Sequence, residues 1–465
     1  MMRTLPAWTT SLKGQLSLAR DFAALVSGSA GRLVISLGYF VCVANALSVA
    51  EFGLFATASA VGVVLSRVAG LGFTSPLYRA STVKPRLIGV ATGNLLAATL
   101  LSLPLVLLGA LAFHAAFFAG HLGLAAFAAI LAAEIACWRT LEIVVIVNNG
   151  LNRFGRAAAL VIGGSAVRAA AALLFYLAGP GTIESWALFY LGANALAALL
   201  AVSTSYPRQR LRVSRRMMLG RARDSLSVAG AEIVFYLQSE LDKLLVLSFG
   251  GAGIAGVYAI LMRLVDLTAL PVRSFNTMLV QKLMREPELL SSWRRRWLVE
   301  GGIAGVSILG LAGLGGFLAV FPNALGGNVA GVAPLVLVAI LVPAFRNLVE
   351  YEGELLYARG RTTLRMLILA FVGLMKAGLL MLLLRAGVAG PDPQAGTGTG
   401  WIVGLNGLFL VLWLVSAAST YTALDWGARR PFRRRGGAGS ALPDPDAAGA
   451  TDGLAPLSRA PQPGE

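Results

Sequence analysis

Ten basic residues stand inside otherwise apolar runs: Arg32, Arg67, Arg139, Arg168, Lys243, Arg263, Arg273, Arg346, Lys376 and Arg385. Acids share those runs, among them Glu134, Glu142, Glu232, Asp242, Asp266 and Glu350. A charge in hydrocarbon costs about 2.5–3.5 kcal/mol on the most lenient scale, so such groups face a protein interior or a wet cavity. Arginine offers a planar fork that binds phosphate oxygens two at a time and never loses its charge. Several arginines converging at mid-membrane would therefore suit an anionic, phosphate-bearing cargo.

Helical spacing sorts these groups into roles. Arg32 shares a face with Gly28, Ser29, Ser36 and Tyr39, which predicts a polar, cavity-lining face on the first helix. Arg168 and Arg263 fall near the middle of the fifth and eighth runs and are further candidates for cargo binding. Arg67 and Arg273 are candidates too, although a long side chain can snorkel to an interface instead. Asp266 lies one turn beyond Arg263, so the two either neutralise one another within the helix or stand together in the cavity. Asp266, Glu232, Asp242 and Glu134 are the candidates for carrying a coupling proton or cation. Arg139 with Glu142, and Arg346 with Glu350, have i,i+3 and i,i+4 spacing, which predicts structural or gating salt bridges.

Other chemistries find no residues. Cys42 and Cys137 both lie in apolar spans and read as packed thiols rather than a disulfide or metal site. His114 and His121 lie seven apart without an acidic neighbour. There is no phosphate-binding loop motif and no metal-binding histidine pair. No cofactor, metal or catalytic residue is expected, and the chain is not expected to be an enzyme.

The elements that must position the charges are membrane helices. The chain has 465 residues, 57% of them hydrophobic and 13% charged, about half the charged share of a soluble domain. About twelve runs have membrane length: 22–44, 53–75, 88–112, 123–147, 157–178, 185–205, 225–249, 253–280, 298–320, 331–356, 364–386 and 401–424. The fourth and tenth carry acids at their ends and are the least typical of membrane spans. Pro271 is expected to break or loosen the helix that carries Arg263, Asp266 and Arg273. The first run is a span rather than a cleaved signal.

Net charge is +17 with 39 Lys and Arg, and its placement decides its meaning. Alternate loops hold the basic residues, including Arg79, Lys84 and Arg86, the run from Arg208 to Arg223, and Arg294 to Arg296. The loops near 45–51, 113–122, 179–184, 250–252, 321–330 and 387–400 have no Lys or Arg. The positive-inside rule then puts both termini in the cytoplasm. No compact basic domain is present to bind nucleic acid.

Internal matches divide the chain. Ala19-Arg20-Asp21 recurs as Ala222-Arg223-Asp224, and Gly53-Leu54-Phe55-Ala56 as Gly256-Val257-Tyr258-Ala259, both at an offset of 203 (222 − 19, 256 − 53). Repeated halves are a transporter signature. The expected organisation is all-α and polytopic, with two six-helix bundles around a central cavity. Its parts are a cytoplasmic segment (1–21), an N-terminal bundle (22–205), a basic linker (206–224) along the anionic inner leaflet, a C-terminal bundle (225–425) and a tail (426–465). The tail is expected to be disordered from about Gly436.

The run ALSVAEFGLFATASAVGVVLSRVAGLGFTSPLYR (46–79) resembles the second helix of polysaccharide export flippases, in which Glu-Phe-Gly opens a long apolar helix. The run ELDKLLVLSFGGAGIAGVYAILMRLVDL (240–267) resembles their seventh-to-eighth helix junction. These are the lipid-linked oligosaccharide (Wzx-type) flippases of the multidrug/oligosaccharidyl-lipid/polysaccharide exporter superfamily, and the resemblance covers about 20–425. It implies alternating access and a polyprenyl-diphosphate-linked oligosaccharide as cargo, turned across the inner membrane for exopolysaccharide, capsule or O-antigen export. Membrane lipids, a polysaccharide polymerase and chain-length proteins are the further partners expected. A drug or cation antiporter of the same superfamily is the alternative, and would favour an acidic pocket. A membrane polymerase or ligase would need a large outer loop, which the spacing of the runs leaves no room for.

Overall fold

The computed structural model describes residues 34–286, 292–388 and 400–428. They are helical almost throughout, with no strand among them. In chain order the helices are α1 (Val34–Ala46), α2 (Val49–Val68), α3 (Thr74–Val83), α4 (Ile88–Phe113), α5 (Leu124–Ala132), α6 (Arg139–Gly150), α7 (Phe154–Leu177) and α8 (Ile183–Ser205). There follow α9 (Arg215–Thr268), α10 (Leu270–Arg285), α11 (Trp293–Val320), α12 (Gly327–Val338), α13 (Val342–Ala358), α14 (Thr362–Val388) and α15 (Gly400–Ala428). The chain divides at Tyr421 into a main body and a short second unit, Thr422–Glu465, of which the helical residues to Ala428 are described. The tail from Gly436 and Arg32 both lie outside the described residues.

The order of these helices fits twelve membrane passes. Eight helices are each long and apolar enough to cross, and α12 with α13 forms a further crossing bent by 72°. Helix α9 has 54 residues, about 81 Å at the helical rise, far more than one crossing needs. It reverses at Gly251, whose φ of 75° suits a residue without a Cβ. The reversal is proved by a hydrogen bond of 2.7 Å from the Tyr258 hydroxyl to Asp242 Oδ2, because sixteen residues of straight helix would separate them by about 24 Å. The remaining two correspond to α1, whose described residues are fewer than a crossing needs, and the run Leu124–Gly150. In that run a π-helical turn, Ala133–Trp138, joins α5 to α6. Of the two spans with acidic ends, the tenth is thus the bent pair and the fourth carries the π-helical turn. Near Pro271 the helix does end, between Thr268 and Leu270, since proline is tolerated in a first turn but not in a helix interior.

Helix starts follow local chemistry. Ser48 caps α2 in a capping box with Glu51, whose side chain returns to Ser48 N at 3.0 Å. The other Glu51 oxygen accepts from Ile183 N at 3.1 Å, tying the start of α8 to that of α2. The linker is built into the N-terminal half rather than simply lying on the leaflet. Gln209 Oε1 accepts from Gly89 N (2.8 Å), Arg212 N donates to Gly89 O (3.3 Å) and Asn94 Oδ1 accepts from Ser214 N (2.8 Å). Its Arg208, Arg210 and Arg212 side chains stay exposed.

The repeat is visible in element starts. Helices α5 and α6 begin at 124 and 139, α12 and α13 at 327 and 342, a difference of 203 in both cases. Helices α7 and α14 begin at 154 and 362, a difference of 208. At the face without basic loops the halves meet on their own equivalents. Gly53 and Gly256 pack so closely that a Cβ on either would overlap the opposite backbone. Beside them Asn328 Nδ2 donates to Ala44 O (2.8 Å) and Leu47 O (2.7 Å), and Asn45 Nδ2 to Leu325 O (2.8 Å). The two Asn328 bonds satisfy carbonyls at and just beyond the C-terminal end of α1, which would otherwise be orphaned.

Candidate functional site

Between the halves lies a cavity of about 330 Å³. The N-terminal half lines it with Ser36 and Tyr39 of α1, Phe55 and Ser59 of α2, Glu134 of the π-helical turn, Arg168 of α7 and Tyr190 of α8. The C-terminal half contributes Lys243, Met262, Arg263 and Asp266 of α9. Three cations therefore face two acids on its wall.

The two arginines are held without being neutralised. Arg168 stacks its guanidinium over the Trp138 ring, 3.6 Å from the centroid, with Tyr39 at 5.9 Å. Arg263 donates to Ser36 Oγ across the seam. Neither makes an ion pair within 4.0 Å among the described residues. Stacking on an aromatic face orients an arginine yet leaves its N–H fork available. Asp266 is bound elsewhere: Arg346 approaches it at 3.1 Å and Arg273 at 3.7 Å. Of the two arrangements expected for Arg263 and Asp266, the structure has them side by side on the cavity without an intrahelical salt bridge.

Glu134 is masked by hydroxyls. Ser59 and Tyr190 both donate to its Oε1 at 2.6 Å. Lys243 is paired with Glu240 at 2.5 Å. The cations on the wall without an ion pair within 4.0 Å among the described residues are thus Arg168 and Arg263.

The other sequence candidates lie off the cavity. Arg67 does not snorkel. It is buried, grips Glu142 with both terminal nitrogens (2.9 and 3.1 Å) and covers the Tyr236 ring at 4.1 Å. Arg139 also reaches Glu142, at 2.9 Å, and crosses to Glu232 of the other half at 3.4 Å. This network lies on the basic-loop side of the cavity, where Gly72 packs against the backbone of Ser225. Both ends of the cavity are therefore crossed by contacts between the halves. Arg273 bonds Glu350 at 3.2 Å. The expected Arg346–Glu350 pair is not formed: Arg346 takes Asp266 and Glu350 takes Arg273, because the carboxylate across the seam between helices offers better geometry than the neighbour one turn away. Asp242 is buried between Lys376 Nζ (2.9 Å) and the Tyr258 hydroxyl (2.7 Å).

The aromatic and hydroxyl partners were not legible in sequence. Trp138, Tyr190 and Ser59 have ordinary helical spacing, and only the packing of three separate helices brings them to Arg168 and Glu134. No group of three or more His, Cys, Asp or Glu residues is placed to hold a metal among the described residues.

The sequence matches no family model and no curated protein. Solved structures do match in fold. The lipid II flippase MurJ, in an inward closed conformation, superposes with a TM-score of 0.61 at 14% identity, over 86% of this chain and 87% of its own. An inward-facing multidrug resistance MATE family transporter of the MOP superfamily gives 0.58 at 14% identity, over 85% and 95%. A MOP superfamily transporter from Pyrococcus furiosus, described as having reversed pocket polarity, gives 0.56 at 15% identity, over 89% and 94%. The chain is a multi-pass membrane protein with the two-bundle, twelve-helix fold of the MOP superfamily transporters.

Proposed function

We propose that the protein is a flippase that moves a polyprenyl-diphosphate-linked oligosaccharide across the inner membrane, for polysaccharide export, by alternating access. The observation that carries the reading is the pair Arg168 and Arg263. They stand on opposite halves of one cavity, without ion-pair partners within 4.0 Å among the described residues. A diphosphate needs charged donors where water is scarce, and Tyr39, Phe55 and Tyr190 beside them offer flat faces on which sugar rings pack. In this reading the basic loops face the cytoplasm, and the Arg67–Glu142–Arg139–Glu232 network and the Gly53–Gly256 contact open in turn. The likeness in fold to a lipid II flippase supports the cargo class by analogy. A second reading, a cation antiporter, draws on Glu134 and Asp266, since both acids reach the same wall.

A charge-assisted bond to phosphate contributes roughly 1.5–3 kcal/mol, so losing one weakens binding about ten- to a hundredfold. Arg168→Ala and Arg263→Ala are each expected to reduce surface polysaccharide per inserted protein by that factor, with partial recovery on substitution by Lys. The exposed pair Arg215 and Arg216, changed to Ala, is the control. Export at the parent level in both cavity variants would refute the reading. Loss of activity in Glu134→Gln alone would favour the antiporter.

A further inference from the structure

The N-terminal half carries a second hollow, of about 520 Å³, where α4 stands off from α6 and α8. Leu95, Leu96 and Thr99 of α4 line one side, Ala136 and Ile143 the other, and Val202 of α8 the back. Leu96 and Ala136 are exposed, so the hollow opens sideways. Leu100, Leu103 and Leu107 continue the stripe of Leu96 along α4 and are also exposed, which marks this side of α4 as the one that meets hydrocarbon. The cargo cavity lies behind the wall. Within one π-helical turn, Glu134 lines the cavity and Ala136 the hollow.

The depth of the hollow follows from α8. Its 23 residues span about 34 Å, close to the roughly 30 Å of hydrocarbon in a bilayer. They start at the face without basic loops. Tyr206 and Arg208, just past the end of α8, therefore stand at headgroup level on the basic-loop side, and both line the end of the hollow. The Tyr206 hydroxyl bonds Thr92 of α4 there, at the depth where tyrosine is favoured. The linker crosses from α8 to Gly89 of α4 and closes that end, with the side chains of Arg208, Arg210 and Arg212 exposed. An apolar hollow in the hydrocarbon layer under cations at headgroup depth matches a phospholipid, one chain inside and the phosphate against a guanidinium. Arg139 links the hollow to the contact between the halves. Its side chain lines the hollow, while its terminal nitrogens reach Glu142 and, in the other half, Glu232. Its Nε is buried without a hydrogen-bond partner among the described residues. The guanidinium is thus positioned by two carboxylates and by whatever packs on its stem.

We propose that this hollow binds one anionic phospholipid of the basic-loop leaflet, with an acyl chain between α4 and the α6–α8 pair and the phosphate at Arg208. The bound chain packs on the stem of Arg139 and so holds the salt bridge to Glu232 that joins the halves on that side. The occupant is a membrane phospholipid rather than the tail of the cargo, because the span Leu124–Gly150 stands between the hollow and any headgroup in the cavity. The site holds whatever the cargo is.

The test is native mass spectrometry of the purified full-length protein with dioleoylphosphatidylglycerol, and with a polyprenyl phosphate as the competing ligand. One phosphatidylglycerol is expected to stay bound under activation that strips the others. Ala136→Trp, which fills the hollow from its exposed rim, is expected to remove that lipid, and Leu173→Trp on the exposed face of α7 to retain it. Arg208→Ala is expected to weaken its binding about fivefold and serves as the test should the Trp variant fail to insert. The link to the salt bridge is read by thiol labelling of a cysteine at Ala259 in the cavity, in a chain cleared of Cys42 and Cys137. Labelling is expected to be slower in nanodiscs of phosphatidylglycerol than of phosphatidylcholine, and the difference to vanish in Arg208→Ala. No retained phospholipid in the parent, unchanged retention in both Ala136→Trp and Arg208→Ala, or retention of the polyprenyl phosphate alone would each overturn the site. Equal labelling of the parent in the two lipids would overturn its hold on the salt bridge.

Discussion

Arg168 and Lys376 occupy the same place in the two halves, each fourteen residues into its helix (168 − 154 and 376 − 362). Their surroundings are opposite. Lys376 is 7% exposed and locked to Asp242 at 2.9 Å and Gln238 O at 3.1 Å. Arg168 stacks on Trp138 and faces the cavity. The difference traces to one repeat-equivalent position (242 − 39 = 203), where the N-terminal half has Tyr39 and the C-terminal half Asp242. A phenol ring stabilises a cation without cancelling it; a carboxylate cancels it. One half has turned its cation inward to hold itself together, and the other keeps its cation for the cavity.

The largest effect should come from breaking the closed seat. Lys376→Met leaves Asp242 buried with the Tyr258 hydroxyl and the Lys243 backbone N–H but without its ion-pair partner, and is expected to lower stability by about 3–5 kcal/mol, measured by unfolding in detergent. Adding Asp242→Asn should recover most of the loss. A single variant as stable as the parent would show that the pair is not structural.

The seam between the halves comes next. Gly53→Val puts a side chain where the backbone at Gly256 already touches. It is expected to destabilise the closed contact by about 1–3 kcal/mol and so expose the cavity to the face without basic loops. A cysteine at Ala259 in a chain cleared of Cys42 and Cys137 reports this: labelling by a membrane-impermeant thiol reagent should accelerate. Unchanged labelling would mean that the glycine contact is not what closes that face.

The smallest effect on stability is expected at the open seat. Arg168→Met removes a cation–aromatic contact of about 1–2 kcal/mol and should shift the unfolding curve less than Lys376→Met while export falls. A loss as large as that of Lys376→Met would erase the distinction between the two seats.

The sequence alone determined the membrane class, the approximate position of the helices among the described residues, the repeat and which charges lie within apolar runs. These follow from local properties: the length of an apolar run, the alternation of basic loops, and the incompatibility of proline or an acid with an unbroken span. Arg346 shows where local reasoning stops. Helical spacing offers it Glu350, yet it bonds Asp266 of another helix, because a partner across a seam is set by how helices pack. The same holds for Glu352, whose sequence neighbourhood is indistinguishable from that of Glu350 and Glu354. Only the tertiary structure buries it, facing Trp413 and Ser416 of α15. Which charges are neutralised and which remain available is decided by groups far apart in the chain, at distances of a few ångströms that no periodicity encodes.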